Sequence, residues 1–184
     1  IVFGLSVGVF YALPTFLSQF VPAWSPSDQG LLGGIYQISA VTGCFAAGKI
    51  VDTFDQQYKP ISVCLLACGI ASVGGFMVAV GQQSHLAMMA CGCIGFSFSA
   101  FMSVGIEFGT ALTYPAQEAA VYGVLDSTAE LTGFLLVTLG GSMSSNRIEF
   151  IGILLATVSI AIVILWFVRG EVKRPTTRRS MVTL

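Results

Sequence analysis

The stretch PISVCLLACGIASVGGFMVAVG, from Pro60 to Gly81, decides the fold because it is predominantly apolar and carries no charged side chain. A helix needs about 20 such residues to cross the hydrocarbon core of a bilayer. Lipid offers no hydrogen-bond partner to backbone N–H and C=O groups, so the segment must pair them within its own helix. The stretch is therefore predicted to be a transmembrane α-helix.

The rest of the chain repeats this pattern. Of its 184 residues, 55% are hydrophobic and only 9% are charged, whereas a soluble domain usually carries about 25% charged residues. We therefore expect a lipid bilayer around most of the chain and no nucleic-acid partner. The apolar runs do not alternate in polarity as β-barrel strands do, and the connectors between them are short. The predicted spans are Ile1–Val21, Gly30–Val51, Pro60–Gly81, Leu86–Phe108, Glu118–Gly141 and Ile148–Val168.

The basic residues indicate how these spans are oriented. In a six-span arrangement Arg147 lies alone on one side, and the positive-inside rule assigns the other, basic side to the cytoplasm. Both ends of the chain then lie in the cytoplasm. We expect residues 1–168 to form the membrane unit and residues 169–184 a basic cytoplasmic tail. The residues on the basic side are Lys49, Lys59, Arg169, Lys173, Arg174, Arg178 and Arg179.

Other features of the sequence concern packing and the start of the chain. The chain begins inside an apolar run, without Met or a basic leader, so we interpret it as part of a longer protein. Five cysteines lie in apolar runs without metal-site spacing and are interpreted as small packing residues. Glycines four residues apart favour close helix contacts in lipid. These pairs are Gly4 with Gly8, Gly30 with Gly34, and Gly105 with Gly109.

Beyond Glu118 at its start, the fifth span carries two carboxylates in its interior. Asp126 and Glu130 are four residues apart and therefore share one face of a helix. Charged side chains within a span are costly and normally face a bundle interior or a water-filled cavity. We hypothesise that this face lines a substrate path and holds a cation or exchanges protons. The alternative is that the acids pair with basic residues elsewhere in a longer protein for structural reasons alone.

Two segments of the chain resemble one branch of the major facilitator superfamily. They are GLSVGVFYALPTFL, residues 4–17, and IEFGTALTYPAQEAAVYGVLDSTAELTG, residues 106–133. The pattern is similar to that of the feline leukaemia virus subgroup C receptor family, whose members are linked to choline, ethanolamine and haem transport. The resemblance implies an all-α membrane protein, a six-helix bundle that forms the C-terminal half of a twelve-helix transporter. Its partner would be the N-terminal half of the same chain. The residues that carry the pattern are Gly8, Phe10, Tyr11, Glu107, Phe108, Thr113, Tyr114, Pro115, Glu118, Gly123 and Leu125.

The connector after the second span resembles the loop signature of the same superfamily, which takes part in conformational change. Gly48, Asp52 and Lys59 occupy the positions of that signature. Thr53 stands where a basic residue is usual. An acid at a helix end can pair with a cation on a neighbouring element, and such a pair can form in one conformation only. The alternative is that these are ordinary loop charges.

The resemblance also implies a substrate site. Members of the family hold choline in an aromatic cage at the membrane midplane, and Tyr11 matches the family aromatic of helix seven, with Phe10 beside it. Glu130 stands where the family usually has Gln, and Asp126 where it usually has Asn. We add Gln37 of the second span as a candidate lining residue. A structural hydrogen bond between helices is the alternative role for Gln37 and for Tyr36.

These observations predict a transporter of a small organic cation, similar to choline or ethanolamine, that works by alternating access without covalent chemistry, cofactor or metal. Aromatic faces attract quaternary ammonium groups by about 0.5–2 kcal/mol each. A haem or porphyrin transporter of the same family remains an alternative, although the single histidine, His85, is interpreted as a solvated loop residue. A non-transporting membrane receptor or scaffold is another alternative. An integral membrane enzyme is disfavoured because the sequence offers no nucleophile with a base and no metal-ligand spacing.

Overall fold

The computed structural model describes residues 1–54, 57–81, 84–143 and 147–168, and these residues form six α-helices. All six are long and apolar enough to cross a membrane, which confirms the predicted all-α, six-helix membrane fold. The predicted basic tail, residues 169–184, lies outside the described residues. The helices are α1 (Val2–Phe20), α2 (Pro26–Thr53), α3 (Tyr58–Val80), α4 (Ser84–Thr113), α5 (Glu118–Ser142) and α6 (Arg147–Phe167).

Some helices extend past the predicted spans because polar turns continue the apolar runs. Helix α2 begins at Pro26, where the side chain of Ser25 accepts a hydrogen bond of 3.2 Å from the N–H of Asp28. Helix α4 continues to Thr113, whose hydroxyl donates to the carbonyl of Gly109 at 2.8 Å. The prediction of a loop at His85 is wrong, because this residue lies exposed in the first turn of α4.

Helices α1 and α5 run parallel to each other in close contact. A β-carbon at Gly4 would lie 2.8 Å from Oγ1 of Thr128, and one at Gly8 would lie 2.6 Å from Cβ of Thr132. Only glycine fits at either position without displacing a neighbour, so the two backbones approach more closely than larger residues would permit. The predicted close packing at Gly4 and Gly8 is confirmed.

Helices α2 and α4 form a second close pair, and α3 packs along the other side of α4. A β-carbon at Gly43 would meet the backbone of α4, and one at Gly95 would meet the backbone of α2. The predicted glycine pair on α2 behaves differently, because Gly30 and Gly34 have no neighbour within 4 Å among the described residues. Close packing of α2 therefore depends on Gly43 and Gly95.

The apolar core surrounds α1. The ring of Phe16 on α1 meets the ring of Phe150 on α6 edge-on, with centroids 4.7 Å apart. At the end of the same helix, the ring of Phe20 lies edge-on to that of Phe76 on α3, with centroids 6.4 Å apart. Helix α1 is thus enclosed at one end, while its middle lies beside α2 and α5.

Candidate substrate site

The middle of α1 brings Tyr11 against α5. Gly8 allows the two helices to approach, and a β-carbon at Gly133 would lie 3.4 Å from Cβ of Tyr11. The hydroxyl of Tyr11 donates a hydrogen bond of 3.3 Å to Oδ1 of Asp126, and the pair is partly buried. Two residues predicted to line the site are thereby in contact although they are distant in sequence.

A polar stripe on α5 extends this contact. Glu130 lies one turn beyond Asp126 and is exposed at the surface of the chain. Tyr122 lies one turn before Asp126 and is 43% exposed. Sequence analysis missed Tyr122, although its spacing of four residues from Asp126 was the available signal. Asp126 therefore contacts Tyr11, and Glu130 and Tyr122 follow on the same stripe of α5, one turn to either side of it.

Phe10 and Tyr36 form the other side of the site. The two rings stack with centroids 5.6 Å apart and an interplanar angle of 23°. The Phe10 ring also lies 5.8 Å from the ring of Tyr11. The hydroxyl of Tyr36 donates a hydrogen bond of 2.9 Å to the backbone carbonyl of Phe10, which confirms the interhelical hydrogen bond considered for Tyr36. Rings from two helices therefore connect α2 to the Tyr11–Asp126 pair.

Gln37 has no such connection to the site. Its side chain is exposed, and the structure gives it no hydrogen bond within the described ranges. Tyr36, its neighbour, is buried. Because successive residues of a helix point about 100° apart, Gln37 lies on a different face of α2 from Tyr36.

Among the described residues, the structure shows no hydrogen bond or ion pair that joins Asp52 of the loop signature to Lys59. The ammonium group of Lys59 donates to the carbonyl of Trp166 at 2.7 Å and to that of Val168 at 3.1 Å. It also lies 5.8 Å from the centroid of the Trp166 ring. Asp52 is exposed, and Gly48 has open space beside it in the described part of the chain. Lys59 therefore caps the C-terminal end of α6, where unpaired carbonyls carry partial negative charge.

The arrangement around Tyr11 is suited to a cation. An aromatic face attracts positive charge, and a carboxyl oxygen of Asp126 lies 3.3 Å from the Tyr11 hydroxyl, with Glu130 one turn further along α5. Within the described ranges, no three His, Cys, Asp or Glu side chains are grouped so that they could hold a metal ion. Aromatic and carboxyl groups of this kind attract positive charge without forming a covalent bond.

The chain is similar to known membrane transporters over most of its length, although no protein-family model matches it. It is 26% identical to an uncharacterized MFS-type transporter of Caenorhabditis elegans over 180 residues, 95% of this chain and 30% of that protein. It is 26% identical to the choline/ethanolamine transporter flvcr2a of Danio rerio over 182 residues, 94% of this chain and 38% of the relative. The human choline/ethanolamine transporter FLVCR2 is 26% identical over 151 residues, 79% of this chain and 28% of that protein.

These comparisons confirm the resemblance to major facilitator transporters and to the choline/ethanolamine branch among them. The chain spans about a third of the length of these relatives. The six membrane-length helices and the similarity to multi-pass transporters agree that the chain is a multi-pass integral membrane protein.

Proposed function

We propose that this chain is the C-terminal six-helix half of a transporter that moves a small organic cation, of the choline or ethanolamine type, by alternating access. The contact between Tyr11 and Asp126 carries the proposal. It joins an aromatic ring to a carboxylate in the middle of two membrane helices, where an uncompensated charge is costly. Relatives named for choline and ethanolamine transport support this substrate class.

Electrostatics explains why a cation suits this site. Two unit charges about 5 Å apart interact by about 3 kcal/mol at an effective dielectric constant near 20. Asp126 and Glu130 repel each other when both are ionised, and a cation between them and the Tyr11 ring relieves that repulsion. A trimethylammonium group has no N–H to donate, so the ring face and the two charges hold it without hydrogen bonds. A primary ammonium group can in addition donate to the carboxylates.

The outer face of α5 is open, and we use it to place the N-terminal six helices beside the site. An open groove of about 470 Å³ follows this face, and a β-carbon at Gly123 would have no neighbour within 4 Å. We assign this face to contact with the N-terminal six helices, so that the two halves rock around the site at the midplane. The groove is lined by Ala120, Gly123, Val124, Ser127, Thr128 and Leu131.

The proposed orientation places the ends of α2 and α6 in the cytoplasm. Lys49 and Lys59 lie on the same side as the end of α6, since Lys59 contacts Trp166 and Val168, and basic residues favour the cytoplasmic side. A cysteine in place of Gln57 should be shielded from an impermeant maleimide in intact cells. One in place of Ala23 should be labelled, and the reverse pattern would contradict the orientation.

Uptake of radiolabelled choline by the full-length protein in cells tests the proposed function. Loss of the Tyr11 ring in Tyr11→Leu should raise KM about 2- to 30-fold, the equivalent of a cation–π contact of about 0.5–2 kcal/mol. Tyr11→Phe keeps the ring and should retain most of the affinity. Absence of choline uptake in cells with normal surface expression would contradict the proposal and favour a receptor or scaffold.

A further inference from the structure

The centre of α1 contains a proline that leaves a backbone carbonyl next to Tyr11 without its helical partner. Pro14 lies inside α1 and has no backbone N–H, so it cannot pair with the carbonyl four residues earlier, that of Phe10. Within a bilayer no water replaces the lost partner, and an unpaired carbonyl costs several kcal/mol. The hydroxyl of Tyr36 on α2 donates to this same carbonyl at 2.9 Å. A side chain from another helix therefore replaces the hydrogen bond that Pro14 removes.

We infer that Tyr36 is a positioning residue: its hydroxyl holds the backbone carbonyl freed by Pro14 and so fixes Tyr11 against Asp126. Tyr11 directly follows Phe10 in α1, so rotation of the peptide unit at the freed carbonyl moves the Tyr11 ring relative to α5. The hydrogen bond between Tyr11 and Asp126 is 3.3 Å long, near the upper limit for such a bond. A small displacement of α1 is enough to break it.

Tyr36 is itself held firmly enough to act in this way. Only 1% of its surface is exposed, and its ring stacks on that of Phe10. On its other side, Gly95 allows the backbone of α4 to lie directly against the backbone at Tyr36. The hydroxyl therefore comes from a buried, closely packed side chain, and pairwise contacts link α4 to α2, α2 to α1, and α1 to Asp126 on α5.

The freed carbonyl also marks the place where α1 can bend. Helices kink at proline because one hydrogen bond of the ladder is missing, and alternating access requires elements that take two arrangements. While Tyr36 donates to Phe10, this point of α1 is held in the arrangement that places Tyr11 at Asp126. Release of the bond frees Tyr11 from the site. The effect of this release on substrate binding rests on the proposed function, whereas the hydrogen bond between Tyr36 and Phe10 does not.

A double-mutant cycle on the full-length protein tests this inference. Tyr36→Phe removes the hydroxyl and keeps the ring, while Pro14→Ala restores an N–H that can pair with the Phe10 carbonyl. In the background with Pro14, Tyr36→Phe should raise KM for choline about three- to tenfold. It should also increase hydrogen–deuterium exchange of the α1 peptide around residues 10–16 at least twofold. In the Pro14→Ala background, the same change should alter neither quantity.

A control and two outcomes complete the test. Thr42→Val removes an α2 hydroxyl that bonds the α2 carbonyl of Ile38, and it should leave exchange in α1 unchanged in both backgrounds. Equal effects of Tyr36→Phe in the wild-type and Pro14→Ala backgrounds would overturn the inference even if choline uptake persists. If no variant takes up choline, but exchange still depends on Pro14, the proposed substrate fails and the role of Tyr36 stands.

Discussion

At the scale of single residues, the site depends on charges that the membrane disfavours. Asp126 and Glu130 were recognisable in the sequence because an ionised group within a span is costly and needs a reason. Their partner Tyr11 was reached through a resemblance, since nothing in residues 1–20 alone indicates contact with α5. The structure supplies that contact, a hydrogen bond of 3.3 Å to Asp126. Tyr122, one turn before Asp126 on α5, lies on the same stripe.

The charge of Glu130 is expected to distinguish a cation from a neutral molecule of the same shape. The test is competition against choline uptake, with unlabelled choline compared with 3,3-dimethylbutan-1-ol, its uncharged carbon analogue. Glu130→Gln should weaken competition by choline about tenfold, equivalent to about 1.4 kcal/mol, and leave the analogue unchanged. Glu149→Gln, at the exposed start of α6, is the matched control. Equal weakening of both competitors would show that Glu130 shapes the site without sensing charge.

At the scale of helices, small residues decide which elements meet. The spacing of Gly4 and Gly8 predicted a close contact but could not identify its partner, because many helices could accept a flat surface. The partner is α5, through Thr128 and Thr132. The contact at Gly43 was missed because no glycine lies four residues away on either side of it. The spacing of glycines within one helix predicts a surface that permits close packing, whereas the helix that packs against it is known only from the folded structure.

Gly8→Ala is expected to destabilise the bundle. The added carbon would lie 2.6 Å from Cβ of Thr132, so the helices must separate. Overpacking of this kind typically costs about 1–3 kcal/mol. The apparent Tm of the purified full-length protein should fall by several degrees. Gly152→Ala on the exposed side of α6, where nothing lies within 4 Å, should leave Tm unchanged or raise it, since alanine favours helix more than glycine. Equal Tm values for the two variants would contradict close packing at Gly8.

Lys59 is expected to hold the last turn of α6. Its ammonium group donates to two carbonyls there, at 2.7 and 3.1 Å, and Lys59→Met removes both hydrogen bonds. Hydrogen–deuterium exchange in residues 165–168 should increase several-fold. Lys49→Met, at an exposed position of α2, should leave this segment unchanged. Unaltered exchange in Lys59→Met would mean that packing alone holds the end of α6.

At the scale of the whole molecule, the bilayer makes the fold easy to predict and the site harder. Six apolar runs predicted six helices, because lipid leaves the backbone no other open-ended choice. The start of α2 and the end of α4 were misplaced because both helices extend into polar sequence. Helix α2 begins at Pro26, next to its cap Ser25, and α4 continues to Thr113. The roles of Tyr36 and Lys59 could not be predicted fully, since each bonds a backbone carbonyl of a different helix. Pro14 was a signal for the role of Tyr36, because a proline at this position frees the backbone carbonyl of Phe10.

The central claim is that Tyr11 and Asp126 together hold a cation at the middle of the membrane. Equilibrium binding of radiolabelled choline to the purified full-length protein tests it without dependence on transport. Asp126→Asn keeps the size of the side chain and removes its charge, so it should raise Kd at least tenfold, about 1.4 kcal/mol, with an unchanged number of sites. A Kd for Asp126→Asn equal to that of the wild type would contradict the account, since the carboxylate that accepts the hydrogen bond of Tyr11 would then contribute nothing to binding.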